Sequence, residues 1–377
     1  MNTGLTRKQR LVRSSVRSFC ERELRPIAGE IDQEARFPWE VVEKMGRLGY
    51  FGIQAPKELG GAEMDSISYS IIIEEISRVC AGIGLCVTVH NSVGLYPLLA
   101  FGSDEQKTKW AVPLAQGAKI GAFCLTEPNA GSDARGIEST AVLRGDQFII
   151  NANKVFVTNG GVADICLIFV RTGAPGEVSV VVAERGTPGF VVGDLEDLCG
   201  MRANPVSSIR LYDCAVPECN LLGRQGDGLK IGLVALDAGR MGIGAQAVGI
   251  GQGALEESLR YAKQRRQFGA PIEKHQAIQM MLADMATQVD ASRLMVYRAA
   301  GLKDKGEPFS QAAAMAKLYA SEASCKVTDM AVQIHGGYGY SKAYPVERYY
   351  RDARVTRIYE GTSEVHRMVI FRGLLKK

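Results

Sequence analysis

Ala235-Leu-Asp-Ala-Gly-Arg-Met-Gly-Ile-Gly-Ala-Gln-Ala-Val-Gly-Ile-Gly-Gln-Gly253 is the stretch whose conformation separates two fold classes. Its end, Gly249-x-Gly251-x-Gly253, has the look of a dinucleotide-binding turn, which would make the chain an α/β protein with a parallel sheet. Such a turn follows a strand and opens a helix. No strand pattern precedes these glycines, and they lie inside a helical pattern. The stretch therefore reads as the interior of a long helix whose small residues let neighbouring helices approach.

Outward from it, the C-terminal side stays helical. His275-Gln-Ala-Ile-Gln-Met-Met-Leu-Ala-Asp-Met285 and the run from Phe309 to Ile334 are broken only at Gln267-Phe-Gly-Ala-Pro271 and Lys303-Asp-Lys-Gly-Glu-Pro308. Long helices with short connections predict a bundle. The texture differs between about residues 122 and 222. Thr140-Ala-Val-Leu-Arg-Gly-Asp-Gln-Phe-Ile-Ile150 predicts two strands joined by a Gly145-Asp146 turn, and Asp164–Val170, Val178–Val182 and Ser208–Tyr212 add further β-rich runs. These predict a compact β-sandwich or barrel. Before residue 120 the spacing is helical again, as in Trp39-Glu-Val-Val-Glu-Lys-Met-Gly-Arg-Leu48 after Pro38, and in Ser66 to Cys80. The fold class is mainly α with a central β domain.

Composition narrows the function. A chain of 377 residues suggests about two or three packed units. With 46% hydrophobic and 23% charged residues it should fold throughout. Net charge is +4, without a long like-charge block, so a nucleic-acid partner has no compositional support. The nine cysteines never form Cys-x-x-Cys, which argues against structural zinc and a disulfide framework; most should be buried small hydrophobes in a reducing compartment. Met1-Asn-Thr-Gly-Leu-Thr-Arg-Lys-Gln-Arg10 lacks an apolar signal core, and Leu11, Val12, Val16 and Phe19 predict a first amphipathic helix. No stretch is expected to reach the roughly 20 apolar residues of a membrane span, and a cytoplasmic location is expected.

Four segments bear on chemistry. Phe123-Cys-Leu-Thr-Glu-Pro-Asn-Ala-Gly-Ser-Asp133 is a loop after a short apolar strand, offering backbone donors and hydroxyls to a polar ligand. By composition alone it is an ordinary turn; it holds no Gly-x-Ser-x-Gly elbow, so Ser132 is not a hydrolase nucleophile. Phe156, in Lys154-Val-Phe-Val-Thr-Asn-Gly-Gly161, reads in isolation as a core aromatic. Arginines in Gln264-Arg-Arg-Gln-Phe-Gly-Ala-Pro271 are ordinarily solvated, although a guanidinium fork suits pyrophosphate. In Arg351-Asp-Ala-Arg-Val-Thr-Arg-Ile-Tyr-Glu-Gly-Thr-Ser-Glu364, one acid sits between Tyr359 and Gly361, with Thr362 or Ser363 ready to cap a final helix. A lone Glu360 there is usually solvated or a cap. His335 and His366 have no companion ligands at metal spacing and read as structural, so no metal is expected.

Taken together with Gln333-Ile-His-Gly-Gly-Tyr-Gly-Tyr340, these strings resemble the FAD-dependent acyl-CoA dehydrogenase family, most nearly its short-chain, butyryl-type members, over essentially the whole chain. The resemblance implies an N-terminal helical domain (1–121), a central β domain (122–226) and a C-terminal four-helix bundle (227–377). It implies that Phe123, Leu125, Thr126 and Ser132 line the flavin, Ser132 also lying near the acyl-CoA. Phe156, Val157 and Thr158 would face the isoalloxazine; many members carry Trp where this chain has Phe156. It gives Arg265, Gln267, Phe268, Gln276, Gln333, Gly336 and Gly337 to the FAD of a neighbouring subunit, and hence implies a homotetramer. Thr362 and Glu364 join the cofactor set, and Asp237, Arg240, Tyr359 and Gly361 the acyl-CoA set.

Glu360 is then implied as the base that removes the α-proton of the acyl thioester, while the β-hydrogen leaves as hydride to flavin N5. The thioester oxygen would be held by the backbone N–H of Glu360 and a ribityl hydroxyl. Some relatives carry their base at the position of Gly239, where a glycine cannot serve. An electron-transferring flavoprotein is the implied acceptor. Glutaryl-type relatives place an Arg where this chain has Gly84, which disfavours a dicarboxylic substrate; Gly84, Leu95 and Tyr96 are candidates for the pocket floor. A short straight-chain acyl-CoA is expected first, then branched, cyclic or aromatic ones. An acyl-CoA oxidase, an enoyl-CoA reductase and a catalytically silent flavoprotein scaffold are the alternatives on the same fold.

Overall fold

The computed structural model describes residues 4–174 and 176–375. Residues 1–3, which begin the Met1–Arg10 stretch, lie outside the described residues. Among the described residues eight α-helices precede the sheet: α1 (Arg7–Phe19), α2 (Ala28–Gln33), α3 (Trp39–Arg47), α4 (Ser66–Ser77), α5 (Ala81–Val89), α6 (Tyr96–Phe101), α7 (Asp104–Gln106) and α8 (Val112–Ala115). Thr6 and Gln9 form a reciprocal capping box that starts α1. Val16 and Phe19 of α1 turn inward as expected, whereas Leu11 is 62% exposed, on a part of the helix surface turned away from the core.

One expectation fails here. The continuous run Ala81–Phe101 is long and apolar enough to cross a membrane, with mean hydropathy 1.4, and 83% of its most apolar window is buried inside the molecule. It is apolar because it is a central helix surrounded on all sides. A π-turn over His90–Leu95 lets His90 and Asn91 point into neighbouring backbone, where Asn91 Nδ2 donates to Tyr50 O at 2.9 Å.

The sheet contains β1 (Gly121–Cys124), β2 (Thr140–Arg144), β3 (Gln147–Val157), β4 (Ile165–Arg171), β5 (Val178–Glu184), β6 (Phe190–Leu195), β7 (Ser207–Pro217) and β8 (Leu221–Leu222), in the order β6-β7-β3-β2-β4-β5-β8. The Gly145-Asp146 hairpin forms as predicted, pairing Arg144 with Gln147. β1 leaves the main path and runs parallel to β4, Phe123 opposite Leu167. β4 is a near-continuous hydrophobic run because both its faces are covered: Cys166, Ile168 and Val170 join the main core, while Ile165, Leu167 and Phe169 join a second one beneath α6 and α8.

After the sheet come α9 (Gly228–Gln264), a hairpin of β9 (Arg266–Gln267) and β10 (Ala270–Pro271), α10 (Gln276–Asp304), α11 (Ser310–His335), α12 (Val346–Val355) and α13 (Ser363–Leu374). The bundle thus has three long helices, with the shorter α12 and α13 packed on α11. The Ala235–Gly253 glycines lie within α9, as read from the sequence. A Cβ at Gly249 would stand 2.8 Å from Ser77 Cβ and 3.0 Å from Arg78 N, so the missing side chain is what admits α4. At that crossing the buried Arg78 donates to Glu75, Glu256 and Glu21 at 2.9, 3.0 and 2.6 Å. A buried guanidinium persists only with such partners.

Candidate active site

The turn between α12 and α13 is held from four sides. Thr356 closes α12, its Oγ1 donating to Ala353 O at 2.6 Å. Thr362 caps α13, accepting from Val365 N at 3.3 Å, and Ser363 N donates back to Arg357 O at 3.1 Å. Tyr359 Oη donates to Gln246 Oε1 on α9 at 2.6 Å, and Lys317 Nζ on α11 donates to Gly361 O at 2.6 Å. Between these anchors Glu360 and Gly361 both take positive φ, +50° and +102°. For glutamate that conformation is costly and persists only where the surroundings impose it.

The turn delivers the Glu360 carboxylate onto the α9 backbone at Gly239. A Cβ there would lie 2.5 Å from Glu360 Cδ and 2.8 Å from Oε1. Oε2 is buried and accepts no hydrogen bond from any described residue. Burial pushes the carboxyl up to about 7, against the opposing pull of Lys317 and Arg240. The backbone N–H of Glu360 donates to no described residue either. The result is a carboxylate near neutrality and a free N–H on one turn.

Arg240, 5% exposed, pairs with Asp237 one turn earlier on α9, and Ser310 Oγ donates to Asp237 at 2.9 Å. Burial raises the Asp237 carboxyl, opposed by that guanidinium. Burial and the Asp237 charge together raise Tyr96, a candidate floor residue. Gly84 instead packs on Ser77, and Leu95 belongs to the second core.

The two strings of the β domain are brought side by side. Val155 N donates to Thr126 O at 3.0 Å. Lys154, fully buried, donates to Leu125 O at 3.3 Å and Glu127 Oε1 at 2.6 Å, and Glu127 in turn accepts from Ser139 N at 3.1 Å. This pair pins both ends of the loop that carries Leu125, Thr126 and the exposed Ser132. Phe123 lies against Phe169, centroids 4.5 Å apart. Phe156 is not a core aromatic: it sits in a bulge of β3 with φ +54° and is 61% exposed. Val157 is buried and Thr158 half-buried beside it.

A separate groove of about 680 Å³ gathers Arg265, Gln267, Phe268, Gly336 and Gly337 with His335 and Tyr338. Arg265 lies over the Tyr338 ring at 5.7 Å, and Phe268 is 95% exposed. Gln276 and Gln333, assigned to the same set by resemblance, lie outside its lining. Both are exposed. The groove has no lining residue in common with the Glu360 turn. Thr362 is occupied as the cap, and Glu364 is exposed in the first turn of α13.

Sequence reading missed Lys317, Gln246 and Tyr69. Lys317 carried a signal, a single charge in the small apolar run Ala312-Ala-Ala-Met-Ala-Lys-Leu-Tyr-Ala320. Gln246 and Tyr69 carried none. Among the described residues no His, Cys, Asp or Glu cluster could hold a metal ion.

Residues 6–118, 122–214 and 226–375 match three family models: Acyl-CoA dehydrogenase, N-terminal domain; middle domain; and C-terminal domain. A short-chain specific acyl-CoA dehydrogenase of Clostridium acetobutylicum is 48% identical over 373 residues, 98% of each chain. The three-dimensional structure of butyryl-CoA dehydrogenase from Megasphaera elsdenii superposes with a TM-score of 0.96 at 42% identity, covering 98% of this chain and 99% of that one. A chain solved in work on the electron transferring flavoprotein of Acidaminococcus fermentans and flavin-based electron bifurcation gives 0.98 at 45% identity, covering all of both. Similarity of this degree from end to end, on one three-part fold, means that the chain belongs to the acyl-CoA dehydrogenase family and is an oxidoreductase of that family.

Proposed function

We propose that the protein catalyses FAD-dependent α,β-dehydrogenation of a short straight-chain acyl-CoA to the 2-enoyl-CoA, with Glu360 as base. The carrying observation is the Glu360 carboxylate itself: seated on Gly239, one oxygen unpartnered, and raised by burial to about 7. A carbon acid next to a thioester is weak, and a desolvated carboxylate titrating near working pH is a more effective base toward it than a solvated one. Glu360 takes the α-proton onto a carboxylate oxygen. Its backbone N–H, which donates to no other described residue, would donate to the thioester oxygen as enolate-like charge develops.

The residues present fit a flavin. The loop with Phe123, Leu125, Thr126 and the exposed Ser132 and the strand with Phe156, Val157 and Thr158 are joined at Val155 and Thr126, so they would offer the flavin one wall; Val157 is buried behind it, and Phe156 is turned outward by a strained backbone. Thr362 and Glu364 stand at the α13 terminus beside the base. The flavin, when bound, supplies the acceptor for the β-hydrogen and its electron pair. The Arg265 groove lies apart from this wall, which favours its serving the cofactor of a second copy; a homotetramer is part of the reading, as are Asp237, Arg240, Tyr359 and Gly361 at the acyl-CoA. An electron-transferring flavoprotein is the acceptor that the Acidaminococcus similarity favours.

The test is anaerobic bleaching of the flavin absorbance by butyryl-, hexanoyl-, isobutyryl-, glutaryl- and a cyclic acyl-CoA, with E360Q alongside. Bleaching by butyryl-CoA that E360Q abolishes is expected. Full turnover by E360Q would remove Glu360 from its role, and rapid oxygen consumption would favour an oxidase.

A further inference from the structure

Lys317 has no structural reason to be a lysine. It is fully buried in the middle of α11, where α9 crosses so closely that a Cβ at Gly244 would lie 3.7 Å from its Cα. It forms no ion pair with any carboxylate of the described residues, and its single hydrogen bond is to Gly361 O at 2.6 Å. Burying an ammonium without a hydrogen-bonded counter-ion costs several kcal/mol by the general rule, and a methionine of similar length would fill the space without that cost. The one main-chain atom it grips belongs to the turn that bears the base.

We propose that Lys317 is a positioning residue for Glu360: its ammonium clamps the Gly361 carbonyl, fixes the left-handed Glu360–Gly361 turn, and supplies positive charge that keeps the buried carboxylate ionised. The proposal rests on Glu360 being the base. Arg240 approaches from α9, already paired with Asp237. Tyr69 comes from α4, fully buried and raised by burial and the Glu360 charge. Tyr359 is in the turn and raised in the same way. From α13 come the exposed Glu364 and the buried His366, whose ring nitrogens have no partner among the described residues and which burial pushes down to about 3. A neutral histidine adds no charge, so Lys317 and Arg240 are the cations that act on Glu360. Burial pulls the Lys317 amine down to about 7 while Glu360 draws it up, as two groups stabilising each other's charged forms must.

The second function of the clamp is geometric. A Cβ at Gly361, which already sits at φ +102°, would come within 3.1 Å of His366 Cε1, so His366 of α13 leaves no room for a side chain at this position of the turn. Lys317 holds it from the opposite side.

The experiment compares pH profiles of kcat/KM for butyryl-CoA in wild type, K317M, K317Q and E360Q, with folding followed by thermal melting and flavin absorbance. In K317M the acid limb moves up by about one pH unit or more, which is about a tenfold loss at pH 6, and the plateau falls as the turn loosens. K317Q, which still offers a donor to Gly361 O, shows the same limb shift with more of the plateau retained. Infrared difference spectra give a readout independent of turnover: the carboxyl band absent from E360Q titrates higher in K317M or K317Q than in wild type. An unmoved limb and an unmoved carboxyl band in a folded variant overturn the proposal. Should K317M not fold, K317Q decides by the same two readouts. Unimpaired E360Q would instead overturn the assignment of the base, a distinct outcome.

Discussion

Gly239 and Glu360 occupy one volume: the carboxylate of Glu360 fills the space that any side chain at position 239 would claim, with Cδ 2.5 Å from the position of the missing Cβ. They lie far apart in sequence, one inside the long helix α9 and the other on a turn between two short helices. The absence of a side chain at one position is therefore part of how the other is aimed.

Gly239→Ala should displace the carboxylate while leaving α9 intact, since alanine favours helix over glycine. A shift of about 1 Å in a reacting group can cost about 10²-fold, and a fall of that order in kcat/KM is expected with unchanged flavin content. Steady-state kinetics with butyryl-CoA, normalised to bound flavin, checks it; wild-type rates would show that the carboxylate need not sit there.

Glu360 should titrate near neutrality. With Glu360 raised to about 7, kcat/KM should rise tenfold per pH unit below about 7 and level off above it. An acid limb in the ordinary glutamate range, about 4 to 5, would contradict the burial of this carboxyl.

The same shift has a stability consequence. Because the folded-state value lies above the unfolded one, ionising Glu360 disfavours the fold, and stability falls as pH rises from the ordinary glutamate range through about 7. E360Q removes that cost. It should be more stable than wild type at pH 8 by about 1–3 kcal/mol and equal to it near pH 4. Paired thermal melts across pH are the measurement.

Lys154→Met should loosen the loop that carries Leu125, Thr126 and Ser132. It strands Glu127, which is 5% exposed, without its cation. Breaking a buried pair from one side costs about 3–5 kcal/mol. A lower melting temperature and faster flavin loss on dialysis are expected, and retention of both would show that the pair does not organise the loop.

Arg265→Ala tests the groove. If the groove completes the flavin site of a second copy, the variant should lose flavin on dilution while its melting temperature, set by residues elsewhere, changes little. The ratio of flavin to protein absorbance after gel filtration reports the loss directly.

Much of this was legible in the chain. Helices, sheet and helices follow in the order that periodicity predicts, because apolar spacing is a local property and each element is longer than the ambiguity at its ends. The Gly249–Gly253 helix and the Gly145-Asp146 hairpin were readable for the same reason. Ala81–Phe101 was not: its helix is buried on every side, so it shows no polar face, and its apolar length passes for a membrane span until the surrounding helices are seen. Phe156 deceived in the opposite sense. Strand alternation turns it inward, and a bulge with positive φ turns it out.

The sequence by itself determined the class of elements, their order, and the string that holds Glu360, since each depends on residues near one another in the chain. Only the tertiary structure decided the surroundings of Glu360. Its burial, the empty volume at Gly239, and the Lys317 clamp on Gly361 come from α9, α11 and a turn meeting in space. A pKa depends on which charges and how much water surround a group, and distant segments supply both.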